Sequence, residues 1–228
     1  HKDDPDNPEM KAHRITELAE KEKLESVLES EGNFSVTQTD RNSTEKPPLN
    51  FDLTSLQREA NNLWSWSARR TLSIAQDLYD THKLTTYPRT DSRFLPEDMM
   101  ESISKTIRQL GAQDKLNPHS QRLVDEGLKN VKRNFDDAKV SDHYAIIPTG
   151  KIPPGGLSSD ASKLYDLIAR QFLASFHPES VWKVEKRVAS KQGQNFVKEA
   201  RSLSTQGWRA VRPKKQDLPD GWGKLPTN

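Results

Sequence analysis

The sequence contains no cysteine. That excludes a disulfide framework and any thiolate metal site, and it fits a reducing compartment such as the cytoplasm. Long apolar runs are also missing. No stretch reaches the ~18 consecutive apolar residues of a membrane-crossing helix, and no signal-peptide core follows the opening His1-Lys2-Asp3-Asp4. Apolar residues make up only 32% of the 228, against ~45–50% for an ordinary globular domain with glycine counted. The shortage argues against one large dry core and for a chain with solvated segments. With no initiator Met, the sequence is expected to be an excised piece of a longer protein.

Several chemistries are missing with equal clarity. No Gly-Lys-Ser/Thr loop occurs, so no nucleoside triphosphate is bound by that route. There is no His-Glu-x-x-His and no Gly-x-Ser-x-Gly. His1, His13, His82, His119, His143 and His177 are scattered without metal-ligand spacing. Asp3, Asp4 and Asp6 sit in a polar terminus and read as solvated rather than as a magnesium site.

What is present is charge, unevenly placed. Residues 1–50 carry seven Lys/Arg and twelve Asp/Glu, whereas residues 51–228 carry 28 and 21. A mildly basic body suits a polyanionic partner, but it equally suits an ordinary solvated surface.

The pattern predicts an α+β chain. Residues 1–14 read as a linker. Thr16 caps an expected helix to about Ser30 with Leu18, Leu24, Val27 and Leu28 on one side. Phe34 to Thr39 alternates like a strand, and Asn42 to Pro48 reads as a connector. Helices are expected from a Thr54 cap and from a Ser67 cap, the latter with Leu72, Ala75, Leu78 and Tyr79 at helical spacing. Pro96 fits the start of another helix, with Ile103, Ile107 and Leu110 on its apolar face. Ala145-Ile146-Ile147 is a buried stub stopped by Pro148. Ser159 or Asp160 caps a strong helix carrying Leu164, Leu167, Ile168, Phe172 and Phe176. From Val181 the period becomes two, giving strands at Trp182 onward, at Phe196–Leu203 after a Gly193-Gln194 turn, and at Gly207–Val211. The expected organisation is therefore a helix plus strand over 15–50, a helical unit over 51–178, strands over 179–212 and a loose tail over 213–228. The two strand-bearing ends share a sheet, with the helical unit inserted between them.

Two clusters concentrate the chemistry. Thr85-Thr86-Tyr87-Pro88-Arg89-Thr90-Asp91-Ser92-Arg93 holds a phenol, two guanidinium groups, four hydroxyls and a carboxylate. A phenol of pKa about 10 is only roughly one part in a thousand ionised at pH 7. A nearby Arg favours the phenolate and neutralises charge that builds on a phosphate oxygen. In an extended segment Tyr87 and Arg89 point the same way, as an Arg-assisted attack on phosphate requires. The plainer alternative is a surface turn with a packed Tyr and solvated Arg side chains. In the second cluster, Ser141 to Thr149, a polar stretch with His143 runs into the buried stub. That placement holds an imidazole at a rigid edge, to donate to phosphate or move a proton, or simply serves as the start of a strand. Trp64 and Trp66 read as core or hinge packing.

Together these motifs resemble the central portion of the type IA DNA topoisomerases. The order is Pro48-Leu49-Asn50-Phe51-Asp52-Leu53 with Leu56-Gln57, then Tyr87-Pro88-Arg89-Thr90-Asp91-Ser92, then His143-Tyr144-Ala145-Ile146-Ile147-Pro148-Thr149, then Leu164 to Phe172. Gly207-Trp208 also fits, and the Pro after the Tyr looks nearest the topoisomerase III branch. The resemblance spans about 15–212. It implies a multidomain fold in which a mainly helical, tyrosine-bearing domain is inserted between strand-containing segments of an arch that lets it swing. It implies that Tyr87 attacks a single-strand phosphodiester and holds the 5′-phosphate, that Arg89 stabilises that phosphate, and that His143 contacts DNA phosphate near the scissile bond. Thr90, Asp91, Ser92 and Arg93 are expected as DNA-binding or supporting residues, with Asp91 orienting His143 or Arg89. Tyr144 sits where many members carry a second His or a Glu.

The resemblance further implies partners and limits. Single-stranded DNA and the rest of the parent chain are the expected partners; no nucleotide and no membrane is expected. The family's magnesium site and catalytic Glu belong to an N-terminal Toprim domain that has no counterpart here, so no metal site is expected in this chain and it is expected to be inactive alone. Tyr87 is expected to be partly exposed. A tyrosine recombinase is disfavoured because Arg89 and His143 follow Tyr87, and a relaxase because no His-rich triad exists. A non-catalytic module that binds single-stranded DNA by aromatic stacking stays open as the alternative.

Overall fold

The computed structural model describes Ile15 and residues 17–212. The expected linker, the Thr16 cap, the Asp3-Asp4-Asp6 cluster, His1, His13 and the tail after Arg212 lie outside the described residues. The chain divides into two compact units.

The smaller unit takes residues up to Ser43 together with Lys183–Ser202. Its helix α1 (Leu18–Glu29) buries only Val27. Leu18 and Leu28 are exposed, so the expected four-residue apolar face shrinks to one anchor. Strand β1 (Ser35–Glu45) continues through Asn42–Glu45, the segment expected as a connector. It pairs with β2 (Ser180–Lys191), which pairs with β3 (Gln194–Thr205), in the order β1-β2-β3. The β2–β3 turn is Gln192-Gly193, one residue earlier than the sequence suggested. Both residues have positive φ, 47° and 76°, the requirement of a two-residue hairpin whose twist matches its strands.

The larger unit comprises residues 44–182 and 203–212. Helix α2 (Leu53–Trp64) is capped by Asp52, not Thr54: its carboxylate accepts from Ser55 N while Ser55 Oγ accepts from Asp52 N. This reciprocal box satisfies two N–H groups that the helix itself cannot. Helix α3 (Ala68–Asp80) is capped by Ser67 as expected and buries Thr71, Ala75 and Leu78. Pro96 stands just before a short 3₁₀ turn, Glu97–Met99, that leads into α4 (Met100–Leu110). Ile103, Ile107 and Leu110 are its buried face. Helices α5 (Asn117–Glu126) and α6 (Val131–Asn134) follow. Helix α7 (Ser159–Phe176) is capped by Ser158, one residue before Ser159 and two before Asp160. Twelve of its eighteen residues are buried, so it is the central element of the unit, with Phe172 and Phe176 fully enclosed and edge-to-face at 5.4 Å. Gly207–Ala210 is a 3₁₀ turn rather than the expected third strand. Trp208 and Val211 are both buried; three residues apart, they share one side of a helical turn but alternate sides of a strand. Gly207, at φ 50°, ends the extended run.

His177 closes α7 and is fully buried. Burial first, then the neighbouring Arg122 and His119, push its pKa down to about 4, against weaker opposition from the His119 backbone and Glu126. The neutral ring is thus the form that the fold accepts. Above pH 6.5 both folded and unfolded chains are neutral at this site and stability is unaffected. As pH falls from 6.5 to about 4 the unfolded chain takes up a proton that the folded chain refuses, removing up to about 3 kcal/mol. Urea unfolding of this chain over that range is expected to show the loss, and His177→Gln to flatten most of the limb between pH 6.5 and 5. An equal limb in both proteins would assign the titration elsewhere.

Candidate active site

The site begins at the end of α3. Leu84, buried, donates its N–H to Leu78 O at 2.9 Å and turns the chain off the helix. The segment that follows runs against the 143–149 stub. Thr86 N donates to Ile147 O, and Thr149 N to Leu84 O, each at 2.9 Å. The Thr86 hydroxyl donates to Ala145 O at 2.8 Å and accepts from Ile147 N at 2.9 Å. Alternation then places Tyr87 on the other side of the segment. Pro88, buried, holds Tyr87 extended.

Tyr87 is half-buried and His143 exposed. Their rings meet at 4.4 Å between centroids, inclined by 46°. On the other side Tyr79 of α3 packs edge-on to Tyr87 at 5.4 Å. Among the described residues the Tyr87 hydroxyl has no hydrogen-bond partner, while the ring is held between the Tyr79 and His143 contacts. Tyr79, Thr85, Thr86, Tyr87, His143, Tyr144 and Thr149 line a cleft of about 310 Å³. Two larger clefts, of about 560 and 450 Å³, lie elsewhere on this unit and contain none of these residues. Burial and the neighbouring Tyr79 raise the Tyr144 pKa, keeping that phenol neutral.

Arg89 is exposed. Its guanidinium reaches Gln76 of α3 at 3.2 Å, one turn before Tyr79, so one helix supports both Arg89 and Tyr87. The remaining residues of the motif make contacts within the protein, and only the expected orienting contact of Asp91 is not formed. Thr90 is buried, and its hydroxyl donates to the His143 carbonyl at 3.0 Å. Ser92 is buried and donates to Lys139 O at 2.7 Å. Arg93 Nε donates to Asn50 O at 2.9 Å, tying the segment to the entrance of α2. These three side chains point into the protein and act as supports. Asp91 is exposed, and its carboxylate accepts from Ser141 Oγ at 3.1 Å, not from His143 or Arg89. Trp66 is buried and Trp64 packs on the core, with their rings 4.5 Å apart, as their spacing suggested.

Three residues of the site carry no separate signal in the sequence. Thr86 lay inside the motif, and its hydroxyl placement marks it as the rivet between the two segments. The helical spacing puts Tyr79 on the apolar face of α3; its ring instead backs Tyr87. Gln76 is an unremarkable helix residue until the fold brings Arg89 to it.

Comparison with known proteins supplies the lineage. A family model described as DNA topoisomerase matches residues 1–227. DNA topoisomerase 3 of Bacillus licheniformis is 44% identical over 165 residues, covering 71% of this chain and 22% of that protein. DNA topoisomerase 3 of Bacillus subtilis is 41% identical over 168 residues, covering 72% and 23%. The solved structure of full-length topoisomerase I from Thermotoga maritima matches the fold with a TM-score of 0.63 at 24% identity, over 94% of this chain and 35% of that one. The chain thus spans under a quarter of the length of these curated relatives. Matched along nearly its whole length, and carrying the α+β architecture of a partial topoisomerase, the chain belongs to the type IA DNA topoisomerase family.

Proposed function

We propose that this chain is the tyrosine-bearing part of a topoisomerase III-like enzyme that cuts and rejoins one DNA strand through a 5′-phosphotyrosine link. The Tyr87 oxygen attacks phosphorus in a single strand. The bond between phosphorus and the 3′-oxygen breaks, the phenol proton is lost, and the departing 3′-oxygen takes up a proton. Arg89 offsets the charge that accumulates on the phosphate oxygens, where a fixed cation is worth more than in water. His143, packed against the Tyr87 ring, donates to a phosphate oxygen beside the scissile bond. The reverse attack by the 3′-hydroxyl reseals the strand, and because the ester conserves the cleaved bond no nucleotide is consumed.

The observation that carries the reading is the contact between Tyr87 and His143. Residues far apart in sequence, each unremarkable alone, meet ring against ring, and among the described residues the phenol oxygen has no hydrogen-bond partner. Among the described residues no group of three or more His, Asp or Glu side chains could hold a metal ion. The magnesium ion implied by the resemblance finds no such ligand set among them. Among the same residues no helix is long and apolar enough to cross a membrane.

The test is to trap the intermediate. The full-length enzyme is incubated with a single-stranded oligonucleotide, quenched with denaturant and digested. The expected product is a peptide containing Tyr87 that carries the 5′-phosphate of the downstream fragment. An adduct on another residue, or none, would remove the proposal.

A further inference from the structure

We propose that Gln76 is a positioning residue for Arg89, an uncharged acceptor that aims the guanidinium while leaving its charge for phosphate. This rests on the reading of Tyr87 and Arg89 given above.

A guanidinium offers only donors. The Gln76 amide therefore turns its oxygen toward Arg89, where it accepts from Nη2 and from Nε at 3.2 Å each. Those two bonds occupy one edge of the guanidinium. Among the described residues no acceptor takes the edge formed by Nη1 and Nη2, and it is an edge that can take two oxygens of a phosphate side by side. Gln76 itself is firmly based. It stands on α3, whose opposite face, Thr71, Ala75 and Leu78, is locked in the core.

The chemical type of the partner matters as much as its position. Among the described residues no carboxylate pairs with Arg89. A Glu at this place would hold the guanidinium more strongly, but it would also cancel the charge that the developing phosphate dianion needs. An aliphatic residue would leave a long, exposed side chain to wander among rotamers. The amide avoids both outcomes: it fixes direction without neutralising. One turn along the same helix Tyr79 backs Tyr87 at 5.4 Å, so α3 sets the attacking oxygen and the stabilising cation in one frame.

The experiment measures single-turnover cleavage of a single-stranded oligonucleotide by the full-length enzyme, together with its affinity for that oligonucleotide. Gln76→Ala and Gln76→Met are expected to slow cleavage about 10-fold, since a catalytic group displaced by about an ångström costs up to about 100-fold. Oligonucleotide affinity is expected to change less than about 2-fold, as one phosphate contact among many is affected. Gln76→Glu, although it retains a clamp, is expected to lose more than Gln76→Ala, because the clamp then neutralises Arg89. In an Arg89→Ala background each of these substitutions is expected to have no further effect, the signature of residues that act through one another. Equal losses with and without Arg89, no loss in Gln76→Ala, or a Gln76→Glu enzyme as fast as the parent would each overturn the proposal. If the parent enzyme itself forms no adduct on Tyr87, the functional reading fails first, and the two failures are told apart.

Discussion

Replacing Tyr87 by Phe in the full-length enzyme is expected to abolish covalent capture of DNA and to lower strand passage by on the order of 10⁴-fold or more, as loss of a nucleophile does elsewhere. The structure makes this substitution unusually clean. The ring contacts with Tyr79 and His143 involve carbon faces and edges that Phe retains. The hydroxyl has no hydrogen-bond partner among the described residues, so its removal leaves no stranded donor or acceptor. Unfolding free energy is therefore expected to shift by less than about 0.5 kcal/mol, and oligonucleotide affinity by less than about twofold. Arg89→Ala is expected to reduce cleavage less, by about 10²–10³-fold, the range seen when one donor to a developing oxyanion is removed. A Phe enzyme that still captures DNA covalently and passes strands would transfer the role elsewhere and return the chain to the class of binding modules.

How much of this arrangement is visible in the sequence depends on which forces set each part. Helices that bury a regular stripe were legible. Ile103, Ile107 and Leu110 of α4 mark their own face, and Ser67 marks the start of α3. The start of α2 was displaced by two residues because Asp52 and Thr54 are both good caps. What decides for Asp52 is Ser55, which completes the reciprocal box in place of the usual Glu or Gln. Strand β1 carries no strand pattern past Thr39 because none of its residues is buried. Its partners are polar: Asp40 pairs with Lys183 at 3.0 Å and Gln38 accepts from Arg187 at 3.0 Å. Such a strand has no apolar alternation for a reader to find. In the site, the spacing of Tyr87 and Arg89 is local and could be seen. His143 needed the motif order, and Gln76 and Tyr79 needed the fold, since nothing along the chain says that α3 passes behind that loop.

The same dependence on tertiary packing underlies the second large effect, at Arg209. Its guanidinium makes a two-bond fork with Glu45, Nε to Oε2 at 2.8 Å and Nη2 to Oε1 at 2.9 Å. It also lies over two indoles, 4.9 Å from the Trp182 ring and 5.0 Å from the Trp208 ring. Both indole N–H groups close on Glu45: Trp182 Nε1 donates to the carboxylate at 2.9 Å and Trp208 Nε1 to the backbone carbonyl at 3.1 Å. Within the larger unit this knot joins the end of β1, the start of β2 and the turn after β3. Arg209→Ala removes both charge-assisted bonds and two cation–π contacts, leaves a void beside the indoles and takes the two-bond fork from a part-buried carboxylate. Breaking a buried pair from one side costs about 3–5 kcal/mol. The Glu45 side chain keeps 33% of its exposure, so water recovers a share and the lower part of that range is expected. Arg209→Lys keeps the charge but loses the planar fork and its stacking, and is expected to cost about half as much. Urea unfolding of this chain, followed by tryptophan fluorescence because two of the five indoles report directly on the knot, measures both. If the Ala variant unfolds within about 1 kcal/mol of the parent, the pair behaves as an exposed surface bridge, and the root of the larger unit must be held by the apolar packing of Trp208 and Val211 instead.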